Sequence, residues 1–115
     1  MDSREERAVR NEVKFRKINE SIEQLTPAAA ETFLIVCECA RDDCMRVLEI
    51  SHGAYEAVRE APTRFAVANG HEITDVERVV STHGDYLVVE KIGEAALIAT
   101  RLDPRSETRR QEWEI

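Results

Sequence analysis

The chain has 115 residues, a length that suits one domain of roughly 100 to 200 residues and disfavours a two-domain enzyme. Charged residues make up 34% of the chain, against an average of about 25%, so much of it must face water. The net charge of −7 lies in residues 26–100, because the basic and acidic groups cancel within 1–25 and within 101–115. An acidic body repels a phosphate backbone, which disfavours nucleic acid as a partner.

The cellular setting is suggested by what the chain does not contain. No run approaches the roughly 18 apolar residues of a membrane span, and no apolar stretch follows the N-terminus. The three cysteines are an odd number in a chain without a secretion signal, so reduced thiols are expected rather than a disulfide framework. These features predict a cytoplasmic protein that does not contact a membrane.

Residues 2–25 are predicted to form one long helix, because the stretch has no glycine or proline and its apolar residues recur at heptad spacing. The stripe consists of Ala8, Phe15, Ile18, Ile22 and Leu25, widened by Val9 and Val13. Such a stripe suits a helix that packs on its own domain, and it also suits a docking or dimerisation helix. Thr26-Pro27 predicts the end of the helix. Contact with a protein partner, or with a second copy, is expected to involve this helix.

Two strands and a short helix are predicted next. Residues 32–37 and 46–50 are apolar and rich in β-branched side chains, and a tight turn that contains cysteines separates them. Ser51 is a suitable N-cap for a helix over residues 52–60, and Pro62 ends that helix.

The second half of the chain contains one ambiguous segment. Residues 64–68 predict a short strand, and residues 86–91 a longer one. Between them, residues 75–82 follow a capping-box pattern that suits a helix, whereas their β-branched residues and the turn after them favour a hairpin. The hairpin is the preferred interpretation. Residues 95–102 predict a closing helix.

The predicted fold class is α+β, in which a long N-terminal helix packs on a small, mostly antiparallel sheet with a cysteine-bearing zinc knuckle. The predicted organisation is an N-terminal helix over 1–25, a zinc-binding body over 26–102 and a polar C-terminal tail over 103–115. Trp113 in that tail is interpreted as a mobile aromatic residue or a short docking motif.

Three cysteines form the most informative pattern. Cys37 and Cys39 lie two apart at the end of a predicted strand, so they project to one side, and the following turn brings Cys44 alongside. Zinc prefers four soft or borderline ligands in a tetrahedron, so three thiolates require one more ligand. His71 is the preferred fourth ligand because Gly70 opens a turn in front of it.

Other residues near the pattern leave alternatives open. Glu72 could orient the ring of His71. His52 is the alternative fourth ligand, whereas His83 is interpreted as a solvated turn residue. Cys37 could also be a small buried hydrophobic residue on a strand, with the other two cysteines incidental, or two of the thiols could oxidise and release zinc.

Catalytic and nucleotide sites are disfavoured. Ser51-His52 and Ser81-Thr82-His83 do not lie on a nucleophile elbow, and residues so close in sequence rarely face each other productively. The four glycines are isolated, so neither a phosphate loop nor a dinucleotide fingerprint is present.

The chain resembles a group of small uncharacterised bacterial proteins that share a Phe-x-Cys-x-Cys, Cys, Gly-His-Glu and Tyr-Leu-Val-Val-Glu-Lys pattern. The matching residues run from Phe33 to Cys39, then Cys44, the Gly70-His71-Glu72 triplet and Tyr86 to Lys91. The resemblance implies a bacterial cytosolic protein and supports His71 over His52, and no activity comes with it.

The predicted function is a non-enzymatic, zinc-stabilised protein-interaction or regulatory module. Its predicted metal ligands are Cys37, Cys39, Cys44 and His71, and they would form a closed structural site. The alternative is a thiol and zinc redox sensor, or a small metalloenzyme in which one ligand position is open.

Overall fold

Three helices and five strands form within residues 4–105, which are the residues that the computed structural model of the chain describes. In chain order the elements are α1 (Arg4–Leu25), β1 (Phe33–Val36), β2 (Val47–Ile50), α2 (His52–Arg59), β3 (Arg64–Ala68), β4 (Glu77–His83), β5 (Tyr86–Lys91) and α3 (Gly93–Leu102). The fold is α+β with a long N-terminal helix, as predicted.

The five strands form two antiparallel sheets. Strands β1 and β2 pair as a hairpin, with Phe33 opposite Ile50. The second sheet has the strand order β3-β5-β4. Strands β4 and β5 are joined by a turn in which Gly84 adopts φ +62°. Residues 77–82 of the ambiguous segment therefore belong to a hairpin, as preferred from the sequence, and residues 75 and 76 lie in the turn before it.

Helix α2 begins where the sequence predicted. The Ser51 hydroxyl accepts a hydrogen bond from the backbone N–H of Ala54 at 3.1 Å, which satisfies one of the free amides of the first turn. The helix packs on β3 and buries Tyr55 and Val58. The core is continuous and takes side chains from all three helices and from both sheets.

The buried face of α1 differs from the predicted apolar stripe. Ile18 is 42% exposed and Leu25 is 85% exposed, although both belong to that stripe. The helix instead buries a mixed face, which consists of Val9, Glu12, Val13, Phe15, Arg16 and Asn19. The polar members of this face can be buried because each finds a hydrogen-bonding partner in another element. The stripe prediction is confirmed for Val9, Val13 and Phe15, which are buried, and is wrong for Ile18 and Leu25.

Helix α1 packs against α3 and β1 of its own chain, so the helix is an integral part of the fold. Its self-packing agrees with the first of the two interpretations of its sequence. Within residues 4–105, no helix combines the length and the apolar character needed to cross a bilayer.

Ion pairs hold the residues that follow α3 against α1 and α2. Asp103 is buried, and its Oδ1 lies 2.5 Å from Nη2 of Arg59. Arg105 bridges Glu20 of α1 and Glu56 of α2 at 2.6 Å each. Trp113 and most of the predicted polar tail lie outside the described residues.

Candidate metal centre

An extended segment carries the first two cysteines beyond the end of β1. The Cys37 N–H donates to the carbonyl of Arg46 at 3.0 Å, which continues the β1–β2 ladder. The Glu38 N–H donates to the carbonyl of Ala66 in β3 at 2.8 Å. Side chains alternate along such a segment, so Cys37 and Cys39 face one side and Glu38 faces the other.

A turn and the end of β3 supply the other two donors. Residues 40–45 fold back so that half-buried Cys44 approaches the first two sulfur atoms. After β3 ends, Gly70 adopts φ +84°, a conformation that glycine accepts without strain. The His71 N–H donates to the carbonyl of Ala68 at 3.0 Å in this tight turn. The turn places the imidazole beside the sulfur atoms.

The four predicted ligand residues converge. One donor atom from each of Cys37, Cys39, Cys44 and His71 lies within 4.8 Å of the others. Nδ1 of His71 is 3.5 Å from Sγ of Cys37 and 3.6 Å from Sγ of Cys44. In a tetrahedron with Zn–S of about 2.3 Å and Zn–N of about 2.0 Å, the N···S edge is about 3.5 Å. These two N···S distances therefore match those expected around an ion the size of zinc.

Hydrogen bonding among the thiols makes them unequal. The Cys37 side chain, hydrogen-bonded to Cys39, holds the pKa of Cys39 well below the usual thiol range. The same interaction, together with burial, raises the pKa of Cys37. The backbone N–H of Ala68 also donates to Sγ of Cys37 at 3.1 Å and favours a thiolate there. A bound dication would supply the positive charge that stabilises all three thiolates together.

The other two histidines lie elsewhere. At the start of α2, His52 has Nε2 3.1 Å from the carbonyl of Pro27 and Nδ1 3.5 Å from Glu23. His83 is exposed at the end of β4, where its ring stacks on Tyr86 with centroids 4.9 Å apart. The structure thus brings His71 to the sulfur atoms, in preference to His52.

Two carboxylates lie near the cysteines, and their roles in the structure differ from those expected from the sequence. Oε1 of Glu72 is buried without a hydrogen-bond partner, so that oxygen does not orient the ring of His71 as predicted. Glu38, which the sequence reasoning did not select, is fully buried and hydrogen-bonded to α1. The sequence feature that could have identified Glu38 is a charged residue between two cysteines at the end of an apolar strand. Side-chain alternation points such a residue away from the sulfur atoms.

The contact between Ser81 and His83 differs from what was expected from the sequence. They were expected not to face each other, yet Oγ of Ser81 lies 2.7 Å from Nε2 of His83, because residues two apart on a strand share a face. Within residues 4–105, no carboxylate hydrogen-bonds to the other ring nitrogen of His83. The pair therefore lacks the third member of a catalytic triad.

No family model, curated protein or solved structure matches this chain. The resemblance to the small bacterial proteins therefore stays a prediction. What can be inferred about function depends on the geometry of the cysteine and histidine cluster.

Proposed function

We propose that Cys37, Cys39, Cys44 and His71 bind one structural Zn²⁺, and that the chain acts as a non-enzymatic protein-interaction or regulatory module. The observation that carries the proposal is the approach of four donor atoms to within 4.8 Å of one another. Membership of the group of small bacterial cytosolic proteins is part of the same proposal, because a reducing compartment keeps such thiols free to bind metal.

The chemistry of the donors favours zinc. Three sulfur atoms and one imidazole nitrogen make a soft to borderline set, whereas magnesium and calcium prefer oxygen ligands. The set Cys₃His is common in structural zinc sites, which are tetrahedral.

The position of the ligands favours a structural role. Cys37 and Cys39 follow β1, Cys44 precedes β2, and His71 follows β3. One ion would therefore join the β1–β2 hairpin to the three-stranded sheet. The protein supplies four ligands, so no position is left for substrate or water. The binding free energy of such an ion contributes directly to folding.

Apolar residues exposed beside the cluster support an interaction role. Leu34 and Val47 lie on the outward face of the β1–β2 hairpin and are 57% and 52% exposed. Met45, next to Cys44, is 89% exposed. Adjoining exposed apolar side chains are typical of surfaces that contact other proteins. Zinc would fix the shape of the hairpin that presents them.

The test is the metal content of protein purified without added zinc. We expect one zinc per chain by elemental mass spectrometry, and a cobalt-substituted form with the strong visible bands of a tetrahedral thiolate site. Cys39→Ser and His71→Ala should lose the metal. His52→Ala is the matched control, because His52 lies outside the cluster, and it should retain one zinc. A folded wild-type protein without metal would contradict the proposal.

The alternative redox sensor is supported less well. Cys37 and Cys39 are each only 1% exposed, which restricts the access of an oxidant to two of the three sulfur atoms. Reversible release of zinc by peroxide from protein that stays folded would favour the sensor. Irreversible release with unfolding would favour the structural site.

A further inference from the structure

Resting on this zinc site, we propose that metal binding and the docking of α1 are coupled through Glu38, a positioning residue. The helix holds Glu38 and thereby fixes the segment that carries two of the ligands. A bound metal in turn holds that segment against the helix. The coupling would make the position of α1 a regulator of metal affinity.

The carboxylate of Glu38 is held from two elements at once. Its Oε1 accepts from Nη2 of Arg16 at 3.2 Å and from the N–H of Ala66 at 3.0 Å. Its Oε2 accepts from Nδ2 of Asn19 at 3.0 Å. Glu38 has no exposed surface, and Arg16 and Asn19 are equally buried in the polar part of the α1 face. The residue between the two ligand cysteines is therefore held by α1 and by β3 together.

Side chains of α1 also hydrogen-bond to the backbone of the same segment. Asn19 donates to the carbonyl of Val36 and accepts from its N–H, both at 2.8 Å. Nδ2 of Asn11 donates to the carbonyl of Cys39 at 3.3 Å. Side chains of the helix thus contact Val36, Glu38 and Cys39, which lie before, between and at the two ligands.

Arg16 is anchored independently of Glu38. Its guanidinium donates to the carbonyls of Pro62 and Arg64, and its Cζ lies 3.7 Å from the ring centroid of Phe65 in β3. Strand β3 also leads to His71. The helix and β3 therefore form one frame that carries the His71 ligand, and Glu38 attaches the segment with Cys37 and Cys39 to this frame.

Coupling of this kind is reciprocal. If docked α1 raises the affinity for the metal, the metal stabilises docked α1 by the same factor. Residues that orient metal ligands typically change metal affinity by about 10- to 100-fold when they are replaced. A protein that displaced α1 would weaken zinc binding, and chelation would loosen α1.

The first experiment measures zinc affinity by competition with a chromophoric chelator. We expect Glu38→Gln to lower the affinity about 10- to 100-fold. The control is Asp103→Asn, which breaks the buried pair with Arg59 and touches none of the four ligands; its affinity should equal that of wild type. The visible bands of the cobalt form should shift in Glu38→Gln and stay unchanged in Asp103→Asn. A substitution that only destabilised the fold would leave the cobalt bands unchanged, as in Asp103→Asn.

A milder variant covers the case in which Glu38→Gln does not fold. Asn11→Ala removes one hydrogen bond to Cys39 and leaves the buried charges paired, and it should lower zinc affinity severalfold. Hydrogen exchange provides the reverse measurement. In wild type, chelation should speed exchange of the amides in the middle of α1.

The outcomes separate the two proposals. Wild-type zinc affinity and cobalt spectra in Glu38→Gln and Asn11→Ala, with α1 exchange unaffected by chelation, would overturn the coupling while leaving the zinc site intact. A wild-type protein that binds no zinc would instead overturn the proposed function.

Discussion

The ammonium of Lys91, the last residue of β5, lies 2.6 Å from Oε2 of Glu12 in the middle of α1. It also lies 2.7 Å from Oε2 of Glu77, the first residue of β4. All three side chains are buried, so two carboxylates share one cation away from water. Burial raises the pKa of Glu12 to about 7, because the charged form loses its hydration.

This raised pKa predicts a pH-dependent stability. Folded Glu12 holds a proton up to about pH 7, whereas the unfolded chain releases it near 4.5, so the stabilising contribution is lost as pH rises between these values. Glu12→Gln cannot release a proton, so wild type should lose roughly 3 kcal/mol relative to this variant over the window. Urea unfolding of zinc-saturated protein between about pH 5.5 and 8 measures most of the difference. If the free energies of unfolding of the two proteins changed in parallel with pH, the raised pKa of Glu12 would be contradicted.

Replacing Lys91, the shared cation, should lower the free energy of unfolding more than replacing an exposed cation. Lys91→Met leaves buried Glu77, and Glu12 where it is ionised, without their shared cation, and we expect a loss of about 3 to 5 kcal/mol in the free energy of unfolding. Arg78→Ala is the control, because Arg78 also pairs with a carboxylate but is 70% exposed, and it should cost less than about 1 kcal/mol. Denaturant unfolding at neutral pH compares the two variants, and equal losses would argue against a dominant role for burial.

Two glycines should respond to alanine with opposite signs. Gly70 has φ +84°, so Gly70→Ala is strained by about 1 to 2 kcal/mol even though no atom lies near the added methyl group. Gly53 lies within α2 with open space around it, and Gly53→Ala should stabilise by up to about 1 kcal/mol. Because His71 follows Gly70, only Gly70→Ala should also weaken zinc binding. Thermal unfolding and zinc competition measure the two effects, and a stabilising Gly70→Ala would contradict the assigned backbone conformation.

Stability should depend on free zinc. If zinc binds only the folded chain, each tenfold rise in free zinc above the dissociation constant raises the free energy of unfolding by about 1.4 kcal/mol. His71→Ala should flatten this dependence, while His52→Ala should keep the wild-type slope. Denaturant titrations in zinc buffers give the slope directly. A flat wild-type response would indicate that the cluster adds nothing to folding.

Local sequence signals predicted the elements well. Ser51 caps α2, Thr26-Pro27 follows the end of α1, and the turn at Gly84 joins two strands, because each of these signals acts over a few residues. The convergence of Cys37, Cys39 and Cys44 was also predictable, since alternation and a short turn bring them together.

Long-range partners were not predictable from local pattern. Arg16 and Asn19 are buried because Glu38 lies opposite them, and Glu12 is buried because Lys91 arrives from the far end of the chain. The apolar period alone could not anticipate these pairs, and so it missed the polar half of the buried face of α1. The preference for His71 over His52, by contrast, came from the turn at Gly70 and from the resemblance, and the structure places His71 beside the sulfur atoms.

The segment of Cys37 and Glu38 has a second effect on β3, which is an outer strand of its sheet. Along its free side, the N–H groups of Ala66 and Ala68 donate to Oε1 of Glu38 and Sγ of Cys37. Unpaired strand edges act as templates for pairing between chains. The opposite outer strand, β4, is interrupted by a bulge between Val79 and Ser81. The segment of Cys37 and Glu38 thus occupies donors that an open edge of β3 would offer to another chain, and a change that displaced this segment would expose them.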